Sequence, residues 1–172
     1  MDPELEQASV GDGKENLRLW LRFLKTSRMI EAQLRQNLKR DFDTTLPRFD
    51  VMVALSRYPD GLKMSELSGL LRVSNGNVTG IIDRLAVEGL AERTAVPGDR
   101  RAFRVCLTGK GQIEFQRQAV AHKSWIDELL QDVTPEEATA LETRLLSFNQ
   151  ALEERSSQFK TVSDTETSAR PC

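Results

Sequence analysis

The segment "VPGDRRAF", Val96 to Phe103, sets one carboxylate and two guanidinium groups beside a Pro-Gly turn. Asp99 can hold a guanidinium there by charge-assisted hydrogen bonds and keep it aimed outward, an arrangement suited to a polyanion. The plainer alternative is a solvated ion pair of little energetic weight. Upstream, "SNGNVTG" (74–80) gathers short, hydrogen-bonding or side-chain-free residues: Ser74, Asn75, Gly76, Asn77, Thr79 and Gly80 around Val78. Such residues at a helix start let the backbone approach base edges that bulky groups would hold away. Gly76 and Gly80 each weaken a helix by roughly 1 kcal/mol relative to alanine. Close approach to a partner accounts for them better than packing, because the apolar stripe of the same segment lies on another face.

Other chemistries find little support. His122 is the one histidine, and Cys106 and Cys172 lack metal-ligand spacing, which argues against zinc, haem and Ser-His-Asp or Cys-His catalysis. Glu136 and Glu137 are explained by helix capping. We therefore expect no catalysis, no metal and no cofactor. Cys106 reads as a buried core thiol and Cys172 as a thiol on a loose tail. The 39% hydrophobic and 29% charged residues fit an ordinary soluble globule. No apolar run approaches the roughly 20 residues that span a bilayer, and the acidic start lacks the pattern of a secretion signal, so a cytoplasmic protein without membrane contact is expected. A net charge of −2 argues against nucleic acid until it is divided along the chain, when residues 14–48 carry +5 and 63–110 carry +3. Steering depends on local potential, so a basic face is compatible with an acidic whole.

The elements that would hold these groups follow from periodicity. Residues 1–13 read as a flexible leader. Leu17, Leu21, Leu24, Leu34 and Leu38, widened by Trp20, Phe23 and Ile30, predict a long helix over about 15–41, with more apolar surface than one small domain covers. Pro47 opens a short helix through Phe49, Met52, Val53 and Leu55. Ser65 could cap the next helix, whose Leu67, Leu70 and Leu71 turn inward. Ser74 could cap a third, with Val78, Ile81, Ile82 and Leu85 packed, Arg84 on the open face, and Gly89 ending it. Two alternating segments flank the Pro-Gly loop and predict a hairpin, the only sheet expected. A helix over about 109–131 follows, its inward face drawn through Ile113, Gln116, Val120, Trp125 or Ile126, and Leu129. Thr134, Pro135 and Glu137 then start a last helix with a narrow seam of Leu141, Leu145, Phe148, Leu152 and Phe159. Residues 160–172 read as a mobile tail.

Helix, helix, helix, hairpin is the order of a winged helix-turn-helix. The fold class is therefore mainly α: a lobe over about 47–108 with a two-stranded β-hairpin wing, and a helical dimerisation region over about 15–41 and 109–159, all in one domain, 14–159. A hairpin beside a recognition helix lies over the minor groove, where narrow walls favour an inserted arginine. "LRVSNGNVTGIIDRLAVEGLAERTAVPGDRRAFRVCLTGKG", with its D-R-L-x-x-x-G-L exit, D-R-R wing and L-T-x-K-G junction, resembles the MarR family of dimeric winged-helix transcription factors. The resemblance implies that Asp99 positions Arg101, that Arg100 holds phosphate, and that Ser65, Ser74, Asn75, Gly76, Asn77, Thr79, Gly80 and Arg84 face double-stranded DNA at a pseudo-palindromic operator. It also implies a homodimer in which the first helix and the last two interleave with a second subunit. The chain departs from the oxidation-sensing branch, having no cysteine near its first helix, and from the zinc-sensing one, having no histidine cluster.

By the same resemblance an effector pocket lies between dimerisation helices and lobe, lined by Trp20, Arg22, Phe23, Arg48, Phe49, Met52, His122 and Trp125. Aromatics beside a basic run suit an aromatic carboxylate or its CoA thioester. The sequence is similar to family members that repress aromatic-acid catabolism. The competing readings are a winged-helix protein-interaction module without DNA binding, disfavoured by the lack of aromatic anchors on 74–84, and a small helical enzyme.

Overall fold

The structure, a computed structural model, describes residues 12–96 and 99–167; side chains are described for all of these except residues 12, 13, 75, 96, 99–102 and 157–167. The chain divides into two compact units between Asp127 and Glu128. In the first, α1 (Asp12–Phe42), α2 (Leu46–Ser56), β1 (Leu62–Lys63), α3 (Met64–Leu71), α4 (Asn75–Val87), β2 (Ala91–Val96), β3 (Asp99–Leu107) and α5 (Gly109–Leu129) follow one another, and α6 (Pro135–Thr167) belongs to the second. Among the described residues no helix is long and apolar enough to cross a membrane. The proposed leader and Cys172 fall, apart from Asp12 and Gly13, outside the described residues. The last helix continues to Thr167, past the point where apolar periodicity stops at Phe159.

The sheet has three strands, in the order β1-β3-β2, rather than the two expected. Leu62 and Lys63 pair antiparallel with Val105 and Arg104. Two residues are too few to show alternation, so this strand left no trace in the pattern. Gly61 makes it possible: its φ is +78°, and a Cβ there would stand 2.9 Å from the Val105 carbonyl oxygen. The β2–β3 ladder runs regularly from Ala91–Leu107 to Ala95–Phe103, then shifts register between Ala95 and Val96. Such a bulge bends a hairpin and strengthens its twist.

The helix starts are partly as expected. Thr134 and Glu137 form the reciprocal box: Glu137 N–H donates to Thr134 Oγ1 at 3.3 Å, and Thr134 N–H donates to Glu137 Oε2 at 3.0 Å. Ser65 is not a cap. Lys63 occupies that position and its N–H donates to Glu66 Oε2 at 2.8 Å, the helix having begun two residues earlier because β1 delivers the chain there. Ser74 stands at the cap of α4 but makes no side-chain capping bond; its carbonyl accepts from Asn77 and Val78. Gly89, at φ +72°, ends α4 as expected.

Two apolar clusters organise the first unit. One closes the lobe: Val51, Met52, Leu55, Leu67, Val78, Ile82, Leu85 and Val105 pack between α2, α3, α4 and the sheet. Leu70, expected inward, is exposed. The other joins α1, α2 and α5 through Leu34, Leu38, Phe49 and Trp125, with Phe42, Phe115 and Ile126 against them. The inward face of α5 differs from the sequence expectation. Ile113, Val120, Gln116 and Leu129 are exposed, whereas Gly111, Gln118 and Trp125 are buried. A glycine and a glutamine are invisible to a search for apolar residues, and Gly111 is buried because α5 starts hard against Leu90, whose carbonyl oxygen lies 1.9 Å from a Cβ built at Gly111. Cys106, on the other face of β3 from Val105, is half-buried rather than a core thiol.

Candidate nucleic-acid interface

The α4 helix is packed on one side only. Val78, Ile82 and Leu85 are buried in the lobe core, while Gly76, Asn77, Thr79, Gly80, Asp83 and Arg84 are exposed. Nothing lies within 4 Å of a Cβ built at Gly76 or Gly80. Neither glycine is therefore demanded by a neighbouring helix of this chain, the packing alternative weighed above. Both border a concave surface with Asn77, Ile81 and Arg84, whose far wall is Arg35 of α1 and Asp50 of α2. Burial raises the Asp50 carboxyl above its ordinary range, with Glu31 adding to the effect.

The wing is rooted beside this helix. Arg93 of β2 pairs with Asp83 of α4, and Arg104 of β3 donates to the Gly61 carbonyl at 2.8 Å. The first contact ties the hairpin to the recognition helix, the second to the α2–β1 turn. Sequence reading missed both, since contacts between residues ten or more positions apart leave no periodic trace. Asp99 and Arg100 lie on β3 next to the register shift, as does Arg101. Their side chains and that of Asn75 fall outside the described residues. Ser65 is exposed on α3.

The residues expected around an effector separate into four groups. Phe49, His122 and Trp125 do meet: the Phe49 and His122 rings stack at 4.6 Å, and Trp125 stands edge-on to His122 at 6.4 Å. Burial lowers the His122 pKa. Met52 belongs to the lobe core. Trp20, Arg22 and Phe23 are exposed on α1, and a helix rise of about 1.5 Å per residue sets Trp20 some 20 Å before Leu34. Arg48 turns away from the aromatic stack to Glu88 at the end of α4, donating from Nη1 and Nη2 to the two carboxylate oxygens at 2.8 and 2.5 Å. The bond to Arg48 holds the Glu88 carboxyl below its usual range. Arg48 also borders a groove of about 810 Å³ with Thr44, Lys110, Arg117 and Gln118.

A half-open polar helix beside a hairpin wing, on a lobe closed by its own core, defines a winged helix-turn-helix DNA-binding transcriptional regulator. Comparison with known proteins narrows the class. Residues 44–103 match the MarR family model. A MarR family transcriptional regulator from Silicibacter pomeroyi superposes with a TM-score of 0.72 at 29% identity, over 84% of this chain and 99% of that one. A mutant MarR from E. coli, complexed with operator DNA, gives 0.68 at 25% identity, over 78% and 95%. The HTH-type transcriptional regulator YsmB of Bacillus subtilis is 25% identical over 134 residues, 76% of this chain and 91% of that protein. Further curated relatives are matched over 49% to 69% of their own lengths. Residues 44–103 thus form a DNA-binding lobe of the MarR type.

Proposed function

We propose that the chain is a homodimeric repressor that grips a pseudo-palindromic operator and lets go when a small anionic or aromatic effector binds, controlling genes for aromatic-compound catabolism. The observation that carries the DNA half is the open face of α4, where two glycines meet nothing within 4 Å. A helix bare on that side can enter a major groove, and Arg101 at the wing would reach the minor groove beside it. The dimer is supported by the apolar side chains left exposed on α1 (Leu17, Trp20, Leu21) and, separately, on α6 (Leu141, Leu145, Phe148, Leu152). Symmetric pairing would cover such faces and set two recognition helices about one DNA turn apart. The effector class, an aromatic carboxylate or its CoA thioester, is supported by arginine and lysine beside aromatic rings at the α1–α2–α5 junction.

Selection of bound fragments from random DNA by the purified protein, followed by footprinting, tests the reading. We expect a two-fold-related site whose affinity falls steeply with salt. Arg101→Ala should weaken binding by about 1–3 kcal/mol, and Asn75→Ala or Thr79→Ala should relax base preference. Unchanged footprints in all three variants would overturn the assignment of contacts. Release of the selected site by p-coumarate, ferulate or their CoA thioesters tests the effector half; retention with every one of them would remove it.

A further inference from the structure

The first half of α1 carries a row of cations. Lys14, Arg18, Arg22, Lys25 and Arg28 follow one another at steps of four, four, three and three, the spacing that keeps side chains on one face of a helix. At 3.6 residues per turn they share a sector about 120° wide and about 21 Å long. All five are exposed, and none makes a hydrogen bond or ion pair with another described residue. The second half of α1 behaves differently: Arg35 holds Glu31, Lys39 holds Asp43 and Arg40 holds Asp41. Between Asn16 and Ile30 there is no acid at all. Like charges at these spacings weaken a helix, so the fold gains nothing from the row.

The row faces away from the rest of the chain. Ile30, Leu34 and Leu38, which pack into the α1–α2–α5 cluster, are centred on the opposite side of the helix. From Lys14 to Met29 every side chain is exposed except half-buried Leu24. The row also stands apart from the recognition helix. Arg35 borders the concave surface beside α4, and Arg28 and Lys14 precede it by about 10 and 32 Å along the axis.

Three kinds of anion could answer such a row, and two fit poorly. A second copy of the chain offers no matching line of acids. On α6 these are Glu136, Glu137 and Glu142, then Glu153 and Glu154, with Arg144 and no acid in between; on α5, Glu114 and Asp127 are already paired with Arg117 and Lys123. An anionic membrane would take the apolar side of α1, with Trp20, Phe23 and Leu24, and leave the row pointing into water. A nucleic-acid backbone needs only what the row supplies, unpaired cations every few ångströms along a line.

We propose that the α1 row holds the phosphate backbone of a second DNA segment while α4 and the wing hold the operator, so that the protein tethers two stretches of duplex. The contact itself stands on α1 alone; the tethering rests on the regulator reading.

The test compares the full chain with the triple variant Arg18→Gln, Arg22→Gln, Lys25→Gln, which puts a good helix former at each exposed position. Unlabelled operator first saturates the recognition helices, and a labelled duplex of unrelated sequence is then titrated by fluorescence anisotropy at several salt concentrations. Five phosphate contacts predict a slope of log K against log salt of about −4.5; loss of three should bring it to about −2 and weaken the unrelated duplex at least about tenfold. Equal slopes for the two proteins would overturn the proposal. Operator affinity should stay within about twofold, the substituted residues lying far from α4. A tenfold loss there would put the row on the operator's own flanks and overturn the second segment. A lower mass of the variant by sedimentation would assign the row to contacts between copies, and flotation with phosphatidylserine vesicles without capture of the second duplex would assign it to a membrane; either overturns the proposal. If no operator can be selected, the unrelated duplex is titrated alone. Weaker binding by the triple variant then supports the contact, and only the tethering falls with the regulator reading.

Discussion

The lobe and the long helices solve the problem of apolar surface in opposite ways. In the lobe every large side chain of the central cluster finds company inside the chain, and Ile82, Leu85, Val78 and Val105 are fully buried. Leu17, Leu19, Trp20, Leu21 and Phe23 of α1, and Leu141, Leu145, Leu146, Phe148 and Leu152 of α6, stay exposed. The lobe is thus a closed body that needs no partner for its core, while the helices present apolar stripes that the described residues leave uncovered. A reader of DNA gains from this division, because its contact face stays fixed whatever covers the helices.

The sharpest way to break the comparison is at the lobe core. Ile82→Ala should lower stability by about 2–5 kcal/mol, read by denaturant unfolding; a small loss would mean that the cluster is loosely packed. Next is the seam between lobe and helix. Gly111→Ala forces a methyl onto the Leu90 carbonyl and should lose about 1–3 kcal/mol, whereas Gly109→Ala, with open space around it, should be neutral or stabilising. Leu145→Ala separates covered from bare helix faces: about 1–2 kcal/mol of concentration-dependent melting if a second copy buries it, under about 0.5 if it stays in water. Gly76→Ala should raise helix stability by about 1 kcal/mol while weakening operator affinity; a gain in both would contradict a close approach there.

The smallest effect concerns Glu88. Because Arg48 depresses its folded pKa, the pair's contribution is present above the unfolded carboxylate value and is lost as pH falls through the folded one. Glu88→Gln should therefore flatten the acid side of the stability–pH profile slightly, the pair being partly exposed and screened. An identical profile in the variant would show that the pair adds nothing to the fold.

Legibility in the sequence followed the kind of signal involved. Apolar periodicity placed α2, α4 and the wing strands, because Val78, Ile82 and Leu85 recur at helical steps and Val105 and Leu107 at strand steps. The same signal misplaced the inward face of α5, where the line is Gly111, Phe115, Gln118, His122 and Trp125, and three of those five carry no hydrophobic weight. It could not find β1, too short to alternate. The open glycines of α4 were legible because helix interiors rarely tolerate them. The groove residues Thr44 and Gln118 were not, since a buried polar atom without a partner becomes visible only once its neighbours are in place.

The register shift at Ala95 and Val96 has a bearing on how such regulators diverge. Below it, the ladder is locked to β1 and the lobe, and a residue inserted or deleted would turn core side chains outward. Above it, that penalty disappears. Length and charge at the hairpin's extremity can drift from one descendant to another, altering which grooves are reached, while the body that carries it is inherited intact.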